Sequence, residues 1–248
     1  MKILLWAEVH KLRRSRILWV LAFGIAMVLL IVAAQGQFAG NDDQYGLEPE
    51  WFLTGVQSLG TFYALPGLIA LLGSYIICRE KQDDTLKSLL IIPVEEGKML
   101  LAKMIMTFFC SVGVYLLLFF CAWGLEFYLH SQVLTLQLFA RYCKMYLLDG
   151  VGVFLAVTPI ICITARIGQG HWIALVIAEI YSFSALLIGG GGTIAFFHPI
   201  VSVFGFSGYY STSALEYTIS MIVLCLCAGI SALFLFLPVS LMGTDKEL

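Results

Sequence analysis

The sequence predicts an all-α integral membrane protein, a single transmembrane domain over residues 1–248 with six membrane-spanning helices. Of the 248 residues, 60% are hydrophobic and only 12% are charged, whereas an ordinary soluble domain carries about 25% charged residues. The mean hydropathy is +0.94, and the charges are clustered, which leaves long apolar runs between them. So few charges cannot cover a soluble globule of this size, which excludes a soluble enzyme, a disordered protein and a secreted disulfide scaffold.

Six apolar segments are candidates for membrane-spanning helices. A helix needs about 20 apolar residues to cross about 30 Å of hydrocarbon. Five segments meet this requirement on sight, and they are Ile17–Ala34, Leu53–Cys78, Met99–Gly124, Met145–Ala165 and Tyr217–Leu237. The sixth, Trp172–Ile188, is 17 residues long and carries one acid. Six spans place both termini on the same side of the membrane.

The distribution of lysine and arginine predicts which side that is. The segment before the first span carries five of them, and the connection after the second span carries five more. With Arg166 and Lys246, twelve of the 14 lie on one side, and only Arg141 and Lys144 lie on the other. Because cationic residues stay cytoplasmic in short loops, we expect a multi-pass protein of the cell membrane with both termini in the cytoplasm.

Residues 1–16 are expected to form an amphipathic helix that lies in the membrane interface. Trp6, Val9 and Leu12 share one helical face, and the basic residues around them suit anionic lipid headgroups. The basic region is longer than that of a signal peptide, and the apolar run that follows exceeds the usual length of about 7–15 residues. We therefore interpret this segment as uncleaved.

No motif for catalysis or metal binding stands out in the sequence. The Gly189–Gly192 run lacks the Lys-Ser/Thr of a phosphate-binding loop, and the four histidines form no HExxH pair. The seven cysteines show no metal or redox spacing. An enzyme is therefore disfavoured, and we expect no catalytic residue, no metal, no cofactor and no nucleic-acid partner for this chain.

The cytoplasmic connection at residues 79–98, between the second and third spans, predicts a short helix. Asp83 or Asp84 is a suitable N-cap. An apolar ridge at i, i+3 and i+4 follows, formed by Leu86, Leu89 and Leu90, and Pro93 ends the helix. On physical grounds two interpretations stay open. The helix either docks into the groove of a partner protein or lies flat on the lipid surface.

This segment resembles the coupling region of type-2 ABC transporter permeases. The shared pattern is a glutamate, Thr-Leu, Leu-Leu, Pro-Val and a later lysine, which stand here as Glu80, Thr85-Leu86, Leu89-Leu90, Pro93-Val94 and Lys98 or Lys103. The usual glycine before the threonine is Asp84, and Glu95-Glu96 replace the base that often follows Pro-Val. The resemblance implies contact with an ATPase partner through Glu80, Asp84, Thr85, Leu86, Leu89, Leu90 and Pro93.

The resemblance extends to the six spans, the N-terminal helix and the chain length, and it implies the partners. Such permeases work in pairs, identical or mixed, with two ATP-binding subunits that bind ATP and magnesium. Size and loop lengths are most similar to the permeases of lantibiotic-immunity and bacitracin-resistance exporters. This implies export of an antimicrobial peptide or another amphipathic, lipid-associated molecule from the membrane. The alternative is a non-transporting immunity or sensing protein that binds such a peptide.

Two acids lie within or next to the predicted spans. Glu179 lies midway along the fifth span, where an acid costs about 2.5–3.5 kcal/mol on insertion scales, so it should face protein or water. Glu179, with Ser182 one turn on, is either part of the transport pathway or permease–permease interface, or it fixes helix packing through an interhelical hydrogen bond in which Ser182 could take part. Asp149 opens the fourth span, and we interpret it as an interfacial acid paired with Lys144 or Arg141.

The second span contains Gly60, Pro66, Gly67 and Gly73. A proline removes one helical hydrogen bond, and glycines allow close helix packing, so this span is predicted to be kinked and tightly packed. Because the coupling segment follows directly, we expect the second span to carry nucleotide-driven motion outward.

Residues 189–216 predict a re-entrant or interfacial hairpin at the outer leaflet. The stretch has one charge, six glycines and Pro199, and it is too apolar for a free loop. Irregular backbone at membrane depth must be shielded by protein. Four aromatic residues could meet a lipid-associated substrate there, although an ordinary aromatic belt is favoured, and they are Phe196, Phe197, Tyr209 and Tyr210.

Overall fold

The computed structural model describes residues 2–38, 50–82, 96–130, 134–167, 171–188 and 192–236. Within these ranges the secondary structure is entirely helical, with no strand. Six of the described helices are long and apolar enough to cross a membrane. The predicted fold class and the predicted number of spans are therefore confirmed.

An N-terminal helix, Lys2–Arg13, precedes the spans. Span 1 is Ile17–Phe38, and span 2 runs through three consecutive segments, Trp51–Leu59, the π-helical turn Gly60–Ala64 and Leu65–Gln82. The remaining spans are span 3 at Glu96–His130, span 4 at Leu136–Ile167, span 5 at His171–Ile188 and span 6 at Ala214–Phe236. Between spans 5 and 6 lie the 3₁₀ turn Gly192–Phe197 and the short helix Pro199–Ser207.

Span 4 begins nine residues before the predicted start at Met145. Its first turns are helical, but they contain Arg141 and Lys144. A prediction based on a continuous run of apolar residues therefore starts the span too late. Asp149 is consequently not in the first turn of this helix. It lies thirteen residues from the helix start, a distance of about 20 Å along the axis.

Span 2 is the central helix of the bundle. In its most apolar stretch 83% of the residues are buried, against 33% in span 1 and 22% in span 5. Gly73 lies against Ile161 of span 4, and an added Cβ there would overlap that side chain. Beside this contact the hydroxyl groups of Ser74 and Thr164 are hydrogen-bonded at 2.7 Å. The predicted close packing of span 2 therefore has a definite partner in span 4.

The irregularity predicted in span 2 is a π-helical turn, Gly60–Ala64, which ends two residues before Pro66. Pro66 has no N–H, so the carbonyl of Phe62, four residues earlier, loses its helical donor. Ser182 of span 5 supplies the missing donor, because its Oγ donates to that carbonyl at 2.7 Å. Ser182 therefore forms an interhelical hydrogen bond with the backbone of span 2, and among the described contacts it makes none with Glu179.

The N-terminal helix packs one side against the bundle and leaves Trp6 and Val9 uncovered by protein. Leu12 is buried against the bundle, whereas Trp6 and Val9 are exposed, with the Trp6 ring stacked on His10 at 4.6 Å between centroids. Glu8 is also buried, and Lys11 donates to its carboxylate at 3.3 Å. The side of the helix that contains Glu8 and Leu12 thus faces the protein.

The short helix Pro199–Ser207 is almost wholly covered by protein. Val203 packs against Gly152 of span 4, and Gly205 lies against Ser220 of span 6, where an added Cβ would overlap the neighbouring atoms. The helix ends at Gly208, which has a positive φ of 84° that favours glycine. The irregular backbone before span 6 is therefore held between spans 4 and 6.

Candidate functional site

Most residues of the predicted coupling segment lie outside the described residues. Glu80 is the exception, since it falls in the last turn of span 2. The others are Asp84, Thr85, Leu86, Leu89, Leu90 and Pro93. Contact of this segment with an ATPase partner therefore remains a prediction.

Glu179 lines an apolar cleft of about 380 Å³ between spans 1, 2 and 5. The other walls are Phe23, Met27 and Ile31 of span 1 and Tyr63 and Leu68 of span 2, with neighbouring apolar side chains. Phe23 is 66% exposed and Met27 is 41% exposed, so the cleft opens sideways, toward the surface that faces lipid. The carboxyl group thus lies on the wall of an otherwise apolar opening.

The Glu179 carboxylate rests directly on the backbone of span 2. It lies against Gly67, where the Cβ of any other residue would overlap the carboxylate. Within the described ranges, Glu179 makes no hydrogen bond and no ion pair. The space it occupies exists because residue 67 is a glycine and because the helix is already irregular at Pro66.

Three of the four aromatic residues of the predicted outer hairpin pack together, since the ring centroids of Phe196 and Tyr210 are 6.2 Å apart and those of Tyr209 and Tyr210 are 5.2 Å apart. Phe196 is buried, whereas Phe197 is 62% exposed. Tyr209 and Tyr210 pack around the buried ring of Phe204, at centroid distances of 4.8 and 5.5 Å, and burial raises the pKa of both tyrosines. Only Phe197 presents most of its ring to the surroundings.

A buried polar cluster lies between spans 2 and 4, where the sequence analysis did not place one. Asp149 and Gln57 are both fully buried, and Gln57 Nε2 donates to Asp149 Oδ2 at 2.6 Å. In the described part of the chain, Asp149 Oδ1 and Gln57 Oε1 have no hydrogen-bond partner. The predicted pairing of Asp149 with Lys144 or Arg141 is therefore wrong, because the acid lies deep in span 4 and faces span 2.

Further buried hydroxyl groups surround this pair. Tyr146 donates to the carbonyl of Leu53 at 2.7 Å, and the hydroxyl groups of Tyr115 and Thr61 are hydrogen-bonded at 3.0 Å. The occurrence of one amide and one acid in two apolar spans was a sequence signal for such a cluster, since polar groups at membrane depth pair with one another.

A second polar cluster joins one end of spans 2, 3 and 4. Glu126 is fully buried; its Oε1 accepts from the backbone N–H of Glu50 at 3.2 Å and lies 3.0 Å from Nδ1 of His130. Tyr142 donates to the Glu50 carboxylate at 2.8 Å. Among the described residues, no group of three or more His, Cys, Asp or Glu side chains is placed to hold a metal ion.

His198 connects the short helix Pro199–Ser207 to span 5. Its Nδ1 accepts from the backbone N–H of Ile200 at 3.3 Å, and its Nε2 lies 3.0 Å from Ser184 Oγ. Ser184 donates its hydroxyl hydrogen to the Tyr181 carbonyl at 2.6 Å, so its oxygen accepts from His198 Nε2–H. These contacts require a neutral imidazole with an unprotonated Nδ1, and burial accordingly lowers the pKa of His198.

Acidification is therefore expected to loosen the start of this short helix. Because the pKa of His198 is lowered in the folded protein, its contribution to stability is complete above the ordinary histidine pKa of about 6.5 and declines as the pH falls below it. Between about pH 7.5 and about pH 5.5 we expect the protection of the Ile200–Val203 amides against hydrogen exchange to fall about five-fold, as for loss of an N-cap. Exchange rates are compared after correction for the intrinsic pH dependence.

His198→Asn is the matched control for this experiment. Asparagine keeps an N-cap acceptor but does not titrate, so its protection should not change with pH. His198→Ala should lose protection at both pH values. An equal acid effect in wild type and His198→Asn would contradict the assignment to the imidazole.

Comparison with known proteins gives one family. The profile described as ABC-2 family transporter protein matches residues 4–185, from the N-terminal helix into the last turn of span 5. The matched stretch includes residues 79–98, the Gln57–Asp149 pair, Glu179 and Ser182. A search of curated protein sequences gave no significant match.

Proposed function

The chain belongs to the ABC-2 family of transporter proteins, and we propose that it is the permease subunit of an ATP-driven exporter that removes an amphipathic, lipid-associated molecule from the membrane. The membership itself makes the chain a multi-pass membrane component of an ABC transporter, with ATP-binding subunits as partners. A lantibiotic or a bacitracin-like peptide is the proposed cargo. ATP and magnesium are proposed to bind in the partner subunits.

The observation that carries the proposed cargo class is the sideways opening of the cleft between spans 1, 2 and 5. A water-soluble cargo would need a polar pathway, whereas this cleft is apolar apart from Glu179 and Tyr63. An amphipathic molecule already in the bilayer can reach such an opening without passing through water. The position of the cleft therefore supports a cargo taken from the membrane.

The arrangement of the partners follows from the charge distribution. Both termini and residues 79–98 are proposed to lie in the cytoplasm, because twelve of the 14 lysines and arginines fall on that side. An ATP-binding subunit in the cytoplasm could then contact residues 79–98, which directly follow the central span 2. A second permease, identical or related, is proposed to complete the transporter together with two ATP-binding subunits.

Co-purification tests the proposed assembly. The tagged chain is extracted from its native membrane in a mild detergent with ATP present, and the bound proteins are identified by mass spectrometry. Recovery of an ATP-binding ABC subunit in near-equal amount is expected, and a second six-span protein would indicate a mixed permease pair. Recovery of the chain alone would overturn the transporter assignment in favour of a membrane immunity or sensing protein.

The coupling prediction has its own variant. Leu89→Asp or Leu90→Asp places a charge on the apolar ridge of the predicted coupling helix and is expected to weaken binding of the ATP-binding subunit about ten-fold. The amount of co-purified subunit and the ATPase activity of the complex measure the effect. Ser88→Asp adds the same charge on the opposite face of that predicted helix, and it should leave the subunit bound. Equal loss in both variants would contradict docking through the ridge.

A further inference from the structure

The residues that line the cleft favour one chemical class of ligand, which is narrower than the cargo class proposed above. We infer that the cleft between spans 1, 2 and 5 binds a cationic amphiphile, with its ammonium group against Glu179 and Tyr63 and its alkyl chain along span 1. The inference rests on the proposed function where it identifies this ligand as cargo. The binding site itself does not depend on that function and is tested separately.

The apolar part of the site follows from how span 1 packs. Span 1 buries a single narrow stripe, which consists of Ile17, Leu21, Ile25, Val28 and Val32. Beside this stripe, Phe23, Met27 and Ile31 line the cleft and are 40–66% exposed. An alkyl chain placed there would contact side chains on both span 1 and span 2. The cleft volume of about 380 Å³ lies within the range of about 300–1,000 Å³ that is usual for small-molecule sites.

The charge of the ligand follows from Glu179. A carboxylate on an apolar wall at membrane depth is costly unless it is protonated or a positive group pairs with it, and a cationic ligand favours the charged form. No described residue donates to Glu179 or forms an ion pair with it. An ammonium group would supply the missing charge, whereas the headgroup of an anionic amphiphile would be repelled.

Tyr63 adds an aromatic face to the same end of the cleft. Its side chain is 41% exposed, and its ring is held edge-to-face against Phe183 of span 5, with 6.0 Å between the centroids. Ammonium groups bind over such rings when they lie within about 6 Å of the centroid. A carboxylate and an aromatic ring that line one opening favour an organic cation over a neutral headgroup.

Two glycines give the site its shape. At Gly67 a Cβ would occupy the space of the Glu179 carboxylate, and at Gly24 a Cβ would overlap Leu68 across the cleft. Gly67→Ala should therefore displace the carboxylate without removing it. Gly113 of span 3 has no atom within 4 Å of an added Cβ, so Gly113→Ala is a matched control for this substitution.

Binding of labelled dodecyltrimethylammonium measures the inferred site directly. The full-length chain, with any subunits that co-purify, is placed in nanodiscs of digalactosyldiacylglycerol, a neutral lipid without an ammonium group, and saturable binding is recorded by scintillation proximity. We expect Glu179→Gln and Gly67→Ala to bind about ten-fold to a hundred-fold more weakly than wild type, as for loss of a contact with a charged group. Glu216→Gln removes an acid from span 6, and it should bind like wild type, as should Gly113→Ala.

Competition and lipid composition complete the test. Unlabelled dodecyltrimethylammonium should displace the probe, whereas dodecyl sulfate should not. Loss of probe binding when the nanodiscs are made of phosphatidylcholine would assign the site to a lipid ammonium group, and unchanged binding would assign it to a free amphiphile. Size-exclusion chromatography shows whether each variant is folded. Equal binding of the probe by the wild type and by both folded cleft variants would overturn the inference.

The outcomes for the site and for the proposed function are distinguishable. If probe binding depends on Glu179 but no ATP-binding subunit co-purifies, the inferred site is supported and the proposed exporter is contradicted. If an ATP-binding subunit co-purifies but the chain does not bind the probe, the proposed exporter is supported and the inferred site is contradicted.

Discussion

Asp149→Leu is expected to lower the free energy of unfolding by about 3 kcal/mol, whereas Asp149→Asn should keep or raise the stability. Leucine would leave the buried amide of Gln57 with no partner at all, and an unsatisfied buried polar group costs about 1–3 kcal/mol. Asparagine can accept from Gln57 Nε2 and also offers a donor to the unpartnered Gln57 Oε1. Reversible unfolding in mixed micelles measures the difference.

The double variant provides the control for this prediction. Gln57→Leu combined with Asp149→Leu removes both polar partners, and such a replacement is nearly neutral when the shape is preserved. The double variant should therefore be more stable than Asp149→Leu alone. Equal destabilisation by asparagine and by leucine at position 149 would contradict this account, since it would mean that the charge of the carboxylate is required.

The second large effect is expected at the π-helical turn of span 2. Ser182→Ala should lower the free energy of unfolding by about 2 kcal/mol, because it leaves the Phe62 carbonyl without a donor. In a Pro66→Ala background the same substitution should cost close to nothing, since an alanine at that position regains a backbone N–H that can reach the carbonyl. A double-mutant cycle in mixed micelles measures this coupling.

Ser220→Ala serves as the comparison for Ser182→Ala. The Ser220 hydroxyl donates to the Glu216 carbonyl within its own helix at 2.9 Å, and its removal frees no group that lacks a helical donor. It should therefore change the stability little. A Ser182→Ala cost that is the same in the wild-type and the Pro66→Ala backgrounds would show that Ser182 acts through packing rather than on the freed carbonyl.

The number of spans could be predicted from the sequence because each span contains a run of apolar residues long enough to cross the membrane. The start of span 4 could not, because its first turns contain Arg141 and Lys144 and a hydropathy test ends where charges begin. Helix propensity does not end there, since arginine and lysine are good helix formers. The error at the boundary led directly to the wrong depth for Asp149.

The partners of the intramembrane polar groups were beyond sequence reasoning for a different reason. The sequence places Asp149 close to Lys144 and Arg141 along the chain, but its partner Gln57 is 92 residues away. The depth of Glu179 was predictable from its position in an apolar run, whereas its contact with Gly67 depends on how spans 2 and 5 cross. Pro66 predicted an irregular helix, but only the Ser182 hydroxyl explains how the freed carbonyl is satisfied.

Ser182 and Glu179 stand three residues apart, on one face of span 5, and both touch the irregular part of span 2. A ligand held beside Gly67 would therefore contact the same segment of span 2 whose free carbonyl is bound by Ser182. Linkage is reciprocal. If a ligand beside Gly67 favours one bend of span 2, then a partner that favours the same bend at the other end of the helix raises the affinity for the ligand, and the ligand raises the affinity for that partner by the same factor. Affinity in the membrane and affinity for a partner at residues 79–98 would then be two measurements of one coupling free energy.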